Sequence, residues 1–103
     1  MRRLPRHRRP TLPGRVFLED FLEPLEMTQR EAAERLRISY PRMNEIINGR
    51  RSVTPDTALR LARLTSTEAE FWLNLQQAVD LWDAINAESL KEEVEKIEPV
   101  KAA

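Results

Sequence analysis

The sequence predicts an all-α domain of five helices with a possible short sixth. Three observations carry that prediction. Apolar residues recur at three- and four-residue spacings along most of the chain. No stretch alternates apolar with polar residues as a half-buried strand does. Ser or Thr heads several of the periodic stretches, where its side-chain oxygen can accept a hydrogen bond that a helix start leaves open. At 103 residues, the chain is one domain by length and can bury one modest core, which dimerisation would supplement.

Residues 1–13 hold five arginines and three prolines and little to bury, so they read as a flexible basic arm. The domain proper spans residues 14–86. Its first helix starts at Val16, where Phe17, Leu18, Phe21, Leu22 and Leu25 form one apolar face. Pro24 ends it near Glu23. Thr28 opens the second helix, and Glu31 three residues on completes a capping box. Ala32, Ala33 and Leu36 are its buried side, and their small size lets another helix approach closely. Ser39 caps the third helix, Pro41 falls in the first turn where its missing N–H costs nothing, and Met43, Ile46 and Ile47 face inward. Gly49 closes it in the left-handed conformation.

Thr54 and Pro55 start the fourth helix, whose apolar side is Ala58, Leu59, Leu61, Ala62 and Leu64. A second capping box, Thr67 with Glu70, opens the longest helix, which runs to about Asn86. There Phe71, Leu75, Ala78, Trp82 and Ile85 follow a heptad-like spacing, and Trp72 and Val79 broaden the seam. Phe71, Trp72, Leu75 and Trp82 are therefore expected in the core or at a dimer seam. Residues 87–103 form an acidic tail. Within it a third box, Ser89 with Glu92, precedes Leu90, Val94 and Ile97, a short amphipathic helix ended by Pro99.

Composition narrows the function. The chain has no cysteine, which excludes disulfides and thiolate metal sites. No apolar run approaches the roughly 18–20 residues that span a membrane, and no apolar stretch follows the basic N-terminus as a signal peptide requires. A cytoplasmic protein is expected. His7 is the one histidine and lies in the basic arm, and no Ser-His-Asp set, phosphate loop or metal-ligand cluster is present. The reading is therefore of a protein that is not an enzyme and needs no cofactor. The net charge is zero, but residues 1–63 carry 14 basic side chains against 8 acidic ones, and residues 64–103 carry 3 against 9. Such asymmetry points to a basic half that meets nucleic acid.

The second and third helices are joined by about three residues, Arg37 to Ser39, which is a helix-turn-helix arrangement. The second helix of such a pair fits the DNA major groove. With Met43, Ile46 and Ile47 set toward the core, a 100° advance per residue points Pro41, Asn44, Glu45 and Asn48 outward and puts Tyr40 and Arg42 on opposite flanks. Asn44 suits an adenine edge and Arg42 a guanine edge. Tyr40 and Pro41 suit a thymine methyl or the sugar-phosphate wall. Glu45 either accepts from cytosine or steers Arg42. Thr28, Gln29 and Ser39 at helix starts, and Arg50 and Arg51 after the glycine, are the expected phosphate contacts. Spacing alone leaves a protein-binding helical bundle as an alternative.

Longer stretches carry a resemblance. "TQREAAERLRIS" with "NGRRSVTPDTALRLARL" resembles the helix-turn-helix of the lambda-repressor-like, or XRE, class. "RRPTLPGRVFLEDFLEPLEMTQ", "INGRRSVTPDTALRLA" and "STEAEFWLNLQQAVDLWDA" resemble the entry helix, the third and fourth helices and the C-terminal helix of the HigA antitoxins. Together they cover roughly residues 10–84, and the EFWLNLQ stretch is the most specific. The resemblance implies a five-helix lambda-repressor-like DNA-binding fold. It implies an antitoxin that neutralises a RelE-like mRNA endonuclease toxin, HigB, and represses its own operon as a homodimer on a palindromic operator. A stand-alone XRE-type repressor without a toxin is the alternative. Two departures bear on geometry: Glu26 and Arg37 stand where the family usually has glycine, and Leu12-Pro13-Gly14 replaces its usual His-Pro-Gly. If Arg37 keeps the left-handed angle of a glycine, the strain is about 1 kcal/mol.

Overall fold

A computed structural model describes residues 8–101. The described chain is helical throughout: α1 (Pro13–Phe17), continued by a π-helical turn (Leu18–Leu22), α2 (Gln29–Leu36), α3 (Tyr40–Ile47), α4 (Pro55–Thr65), α5 (Ala69–Ile85) and α6 (Glu88–Glu95). All six helices of the sequence reading are present. Residues 1–7 of the expected arm lie outside the described residues. Its last residues are placed, and Pro13 already belongs to α1, so the first helix starts three residues before Val16.

The entry helix differs from the expected regular one. Glu23 donates to Leu18 O at 2.9 Å and Met27 to Leu22 O at 2.9 Å, each spanning five residues rather than four. The widened turn puts Phe17 and Leu22, five apart, in the core and leaves Leu25 exposed. Pairs at both i+4 and i+5 are apolar here, so periodicity cannot tell the two windings apart.

The caps follow the sequence where a Ser or Thr hydroxyl has no stronger partner. Glu31 N donates to Thr28 Oγ1 at 3.0 Å and Arg42 N to Ser39 Oγ at 3.2 Å. Thr54 caps α4 through Thr57 N. The other two boxes are not formed. α5 starts from Glu68, because the Thr67 hydroxyl accepts from Trp72 Nε1 at 2.8 Å. α6 starts from Ala87, which places Ser89 inside the helix.

The core gathers Phe17, Leu22, Ala32, Leu36, Met43, Ile46, Ala58, Leu61 and Trp72. Trp72 is 0% exposed. Phe17 meets it edge-on at 6.0 Å and Phe71 at 5.0 Å between ring centroids, arrangements that suit the ring quadrupoles. A buried tryptophan of this kind contributes about 3–5 kcal/mol against alanine. Gly14 sits where α1 crosses α3: a Cβ there would lie 2.0 Å from Ile46 O.

The seam expected along α5 divides. Trp72 and Val79 are fully buried, Leu75 packs half-buried against the core and Trp82 is half-buried beyond it. Phe71, Leu81 and Ile85 are exposed, and α6 adds exposed Leu90, Val94 and Ile97. The core face of α5 is thus the Trp72–Val79 line, and the heptad-like residues that were expected to lead it turn partly outward.

Candidate nucleic-acid interface

The helix-turn-helix is built by α2 and α3. Arg37 takes φ 61°, the left-handed angle, and Ile38 N donates back to Ala33 O at 3.0 Å, closing α2 as a Schellman-type cap without glycine. Glu26 likewise sits at φ 52° before α2. The turn therefore keeps the geometry that glycine would give. A side chain from α4 supports it: Arg60 Nη1 donates to Leu36 O at 2.9 Å and Arg37 O at 3.2 Å. A cation on the last carbonyls of α2 satisfies them and complements the negative end of the helix dipole.

α3 ends as expected. Asn48 Nδ2 donates to Asn44 O at 2.8 Å, and Gly49 turns the chain at φ 74°. Met43, Ile46 and Ile47 are buried beneath it. Its other side presents Tyr40, Pro41 and Asn48 exposed, with Asn44 and Glu45 half-exposed.

Two contacts weld this face to the start of α2. Asn44 Nδ2 donates to Gln29 Oε1 at 3.0 Å. The Arg30 guanidinium lies over the Tyr40 ring, 4.5 Å from its centre. The Gln29 bond uses one of the two amide hydrogens of Asn44. Its other N–H and its carbonyl oxygen stay available, the pair that a purine edge engages. Thr28 and Ser39 use their oxygens to accept from backbone N–H groups, and each hydroxyl keeps its proton for an anion. Sequence reasoning placed Gln29 and Asn44 on one surface but missed that they touch; fifteen residues separate them and only the fold brings them together.

Arg42 departs from expectation. Its guanidinium turns away from the outer face onto α4, where Nη2 meets Asp56 Oδ1 at 2.7 Å and Thr57 Oγ1 at 2.9 Å. Its side chain is only 27% exposed. Arg60 Nε shares the same Asp56 oxygen at 2.8 Å. The hydrogen bonds from Arg60 and then Arg42 hold the Asp56 carboxyl below the usual carboxylate range. Glu45 does not steer Arg42 either. It accepts from Arg51 Nε at 3.0 Å and Nη2 at 2.8 Å, fixing Arg51 at the edge of the face. Arg50 is exposed beside it. The interface thus brings together Thr28, Gln29, Arg30, Tyr40, Asn44 and Arg51, with Arg42 as a strut behind it.

A helix-turn-helix family model matches residues 18–72. The chain is 43% identical over 93 residues to the HTH-type transcriptional regulator YbaQ of Escherichia coli, covering 90% of this chain and 82% of that one. It is 37% identical over 93 residues to the antitoxin HigA-1 of Vibrio cholerae, covering 90% and 86%. The structure of the Pseudomonas aeruginosa antitoxin HigA with the higBA promoter superposes with a TM-score of 0.82 at 34% identity, covering 90% of this chain and 100% of that one.

Proposed function

Because the chain belongs to the helix-turn-helix family, with HigA antitoxins among its relatives, we propose that it is a DNA-binding antitoxin that represses its own operon. That family is one of DNA-binding regulators and not of enzymes. The observation that carries the proposal is the welded face of α2 and α3, where Gln29 orients Asn44 on the exposed side of the helix that fits a major groove. The Pseudomonas HigA solved with its promoter supports the assignment, since this chain covers all of it.

In this reading Asn44 and Tyr40 read bases. Glu45 contributes by positioning Arg51. Thr28, Gln29, Ser39, Arg50 and Arg51 hold phosphates. Two copies bind a palindromic operator, with recognition helices one DNA turn apart, about 34 Å. The second copy covers the exposed apolar residues Leu81, Ile85, Leu90 and Val94 at the α5–α6 junction. An unpartnered apolar face of this kind is unusual on a monomer, and a palindrome needs a two-fold partner. The protein partner is a HigB-like RNase toxin, which the antitoxin neutralises in the cytoplasm. Among the described residues no helix is long and apolar enough to cross a membrane.

The likeness to YbaQ, a transcriptional regulator, favours a second reading in which the chain represses without a toxin. A gel-shift titration against the chain's own upstream region tests what the two readings share. Binding that weakens steeply with salt is expected, because arginine–phosphate contacts release counterions; a flat response refutes it. Co-expression with the product of the adjoining reading frame separates the two. Rescue of growth and co-purification support the antitoxin, and a frame that is neither toxic nor retained leaves the repressor.

A further inference from the structure

The chain ahead of α1 plays no part in the interface just described, yet its base is fixed beside it. Arg9 grips Asp83 of α5 with both arms of its guanidinium, Nε to Oδ1 at 2.8 Å and Nη2 to Oδ2 at 2.7 Å. This bond raises the Arg9 pKa and holds the Asp83 carboxyl below its usual range. Three residues on, Leu12 closes over the end of α3: a Cβ on Gly49 would stand 2.7 Å from Leu12 Cδ1. Arg9, Leu12, Gly49, Arg51 and Asp83 line one cavity of about 210 Å³. The strand of chain before α1 is therefore seated between α5 and the loop that leaves α3, next to Arg51.

What precedes that seat is strongly basic. The eight residues before Arg9 hold four arginines, Arg2, Arg3, Arg6 and Arg8, and no acidic residue. Fully extended, eight residues reach about 26 Å, enough to pass several phosphates beyond those that Arg50 and Arg51 can touch. The carboxylate nearest the seat, Asp83, is already matched by Arg9, so it does not cancel the charge of the other four.

We infer that residues 2–8 form a second DNA contact: an arginine arm, launched from the Arg9–Asp83 anchor, that follows the phosphate backbone alongside the loop after α3. This rests on the DNA-binding reading above. The arm carries charge without a base-reading geometry, so it adds affinity and extends the site but leaves sequence preference to α3.

The test uses the full chain with Arg2, Arg3, Arg6 and Arg8 all replaced by glutamine, beside the wild type. Operator and random DNA are titrated from about 50 to 200 mM salt. Each phosphate contact contributes about 0.9 to the slope of log K against log salt, so two to four lost contacts lower it by about 2 to 4. Affinity for operator and for random DNA should fall by the same factor, and a hydroxyl-radical footprint should recede at its edge. An unchanged slope and footprint in the fourfold variant overturn the inference while the wild-type shift keeps the DNA reading standing. If that variant binds DNA normally but no longer retains the toxin, the arm belongs to the protein partner and the inference is overturned as well. A wild type that binds neither DNA refutes the underlying reading itself. The melting temperature of the variant should match the wild type.

Discussion

Arg42→Ala removes three things at once: the 2.7 Å pair with Asp56, the 2.9 Å bond to the Thr57 hydroxyl, and an aliphatic stem between α3 and α4. The Asp56 partner is exposed, so the ion pair itself adds little to stability. The bond to Thr57 counts for more, because Thr57 is 2% exposed and a charged donor is involved; such a bond is typically worth about 1.5–3 kcal/mol. Part of that gain is already offset, since Arg42 Nε is buried without a partner among the described residues, and truncation relieves that cost. A net loss of about 1–2 kcal/mol follows from these opposing terms. For a domain of this size each kcal/mol moves the melting temperature by about 4–8 °C, so a decrease of roughly 5–15 °C is expected by circular dichroism. Operator and random-DNA affinities measured below that temperature should fall together, leaving their ratio within about threefold. The reasoning is refuted if the melting temperature holds while the ratio collapses tenfold or more, because Arg42 would then have left Asp56 to read a base.

Four further perturbations test other parts of the molecule. Asn44→Ala should cost about 1–3 kcal/mol on the operator and almost nothing on random DNA, by fluorescence anisotropy; equal losses would assign Asn44 to the backbone. Gly14→Ala forces a Cβ to within 2.0 Å of Ile46 O, a backbone clash that should destabilise by more than about 2 kcal/mol in a urea melt. Val94→Glu on the exposed α6 face should halve the mass seen by light scattering and weaken operator binding, while the monomer keeps its helical spectrum. Asp56 and Asp83 have pKa values depressed by their arginine partners. Their contribution is thus complete above the unfolded value of about 3.9 and is lost as pH falls through the lower folded values. Carboxyl NMR shifts should show these two aspartates titrating last on acidification.

How far the sequence could be read depended on the range of the forces involved. Helix starts at Thr28, Ser39 and Thr54 were legible because a cap is a bond between near neighbours. Thr67 defeated the same rule because an indole N–H five residues away took its oxygen. The buried face of α3 followed from period alone, since Met43, Ile46 and Ile47 have no other inward side. Its flanks did not. Arg42 is aimed by Asp56, fourteen residues later, and Asn44 by Gln29, fifteen residues earlier, and neither partner is visible in a helical projection. The π turn was hidden by Phe17, Leu18, Phe21 and Leu22, which satisfy both windings.

Arg60 holds two carbonyls at the turn, and Asp56 joins Arg60 to Arg42. The angle between α2 and α3 is consequently stored in α4 rather than in the three residues that connect them. A turn braced from outside can change its own residues, as Arg37 in a glycine position illustrates, without redirecting the reading helix. The converse is a route for retuning: substitutions confined to Asp56 or Arg60, on a helix away from the reading face, would swing α3 in its groove and alter half-site spacing before they altered any base contact.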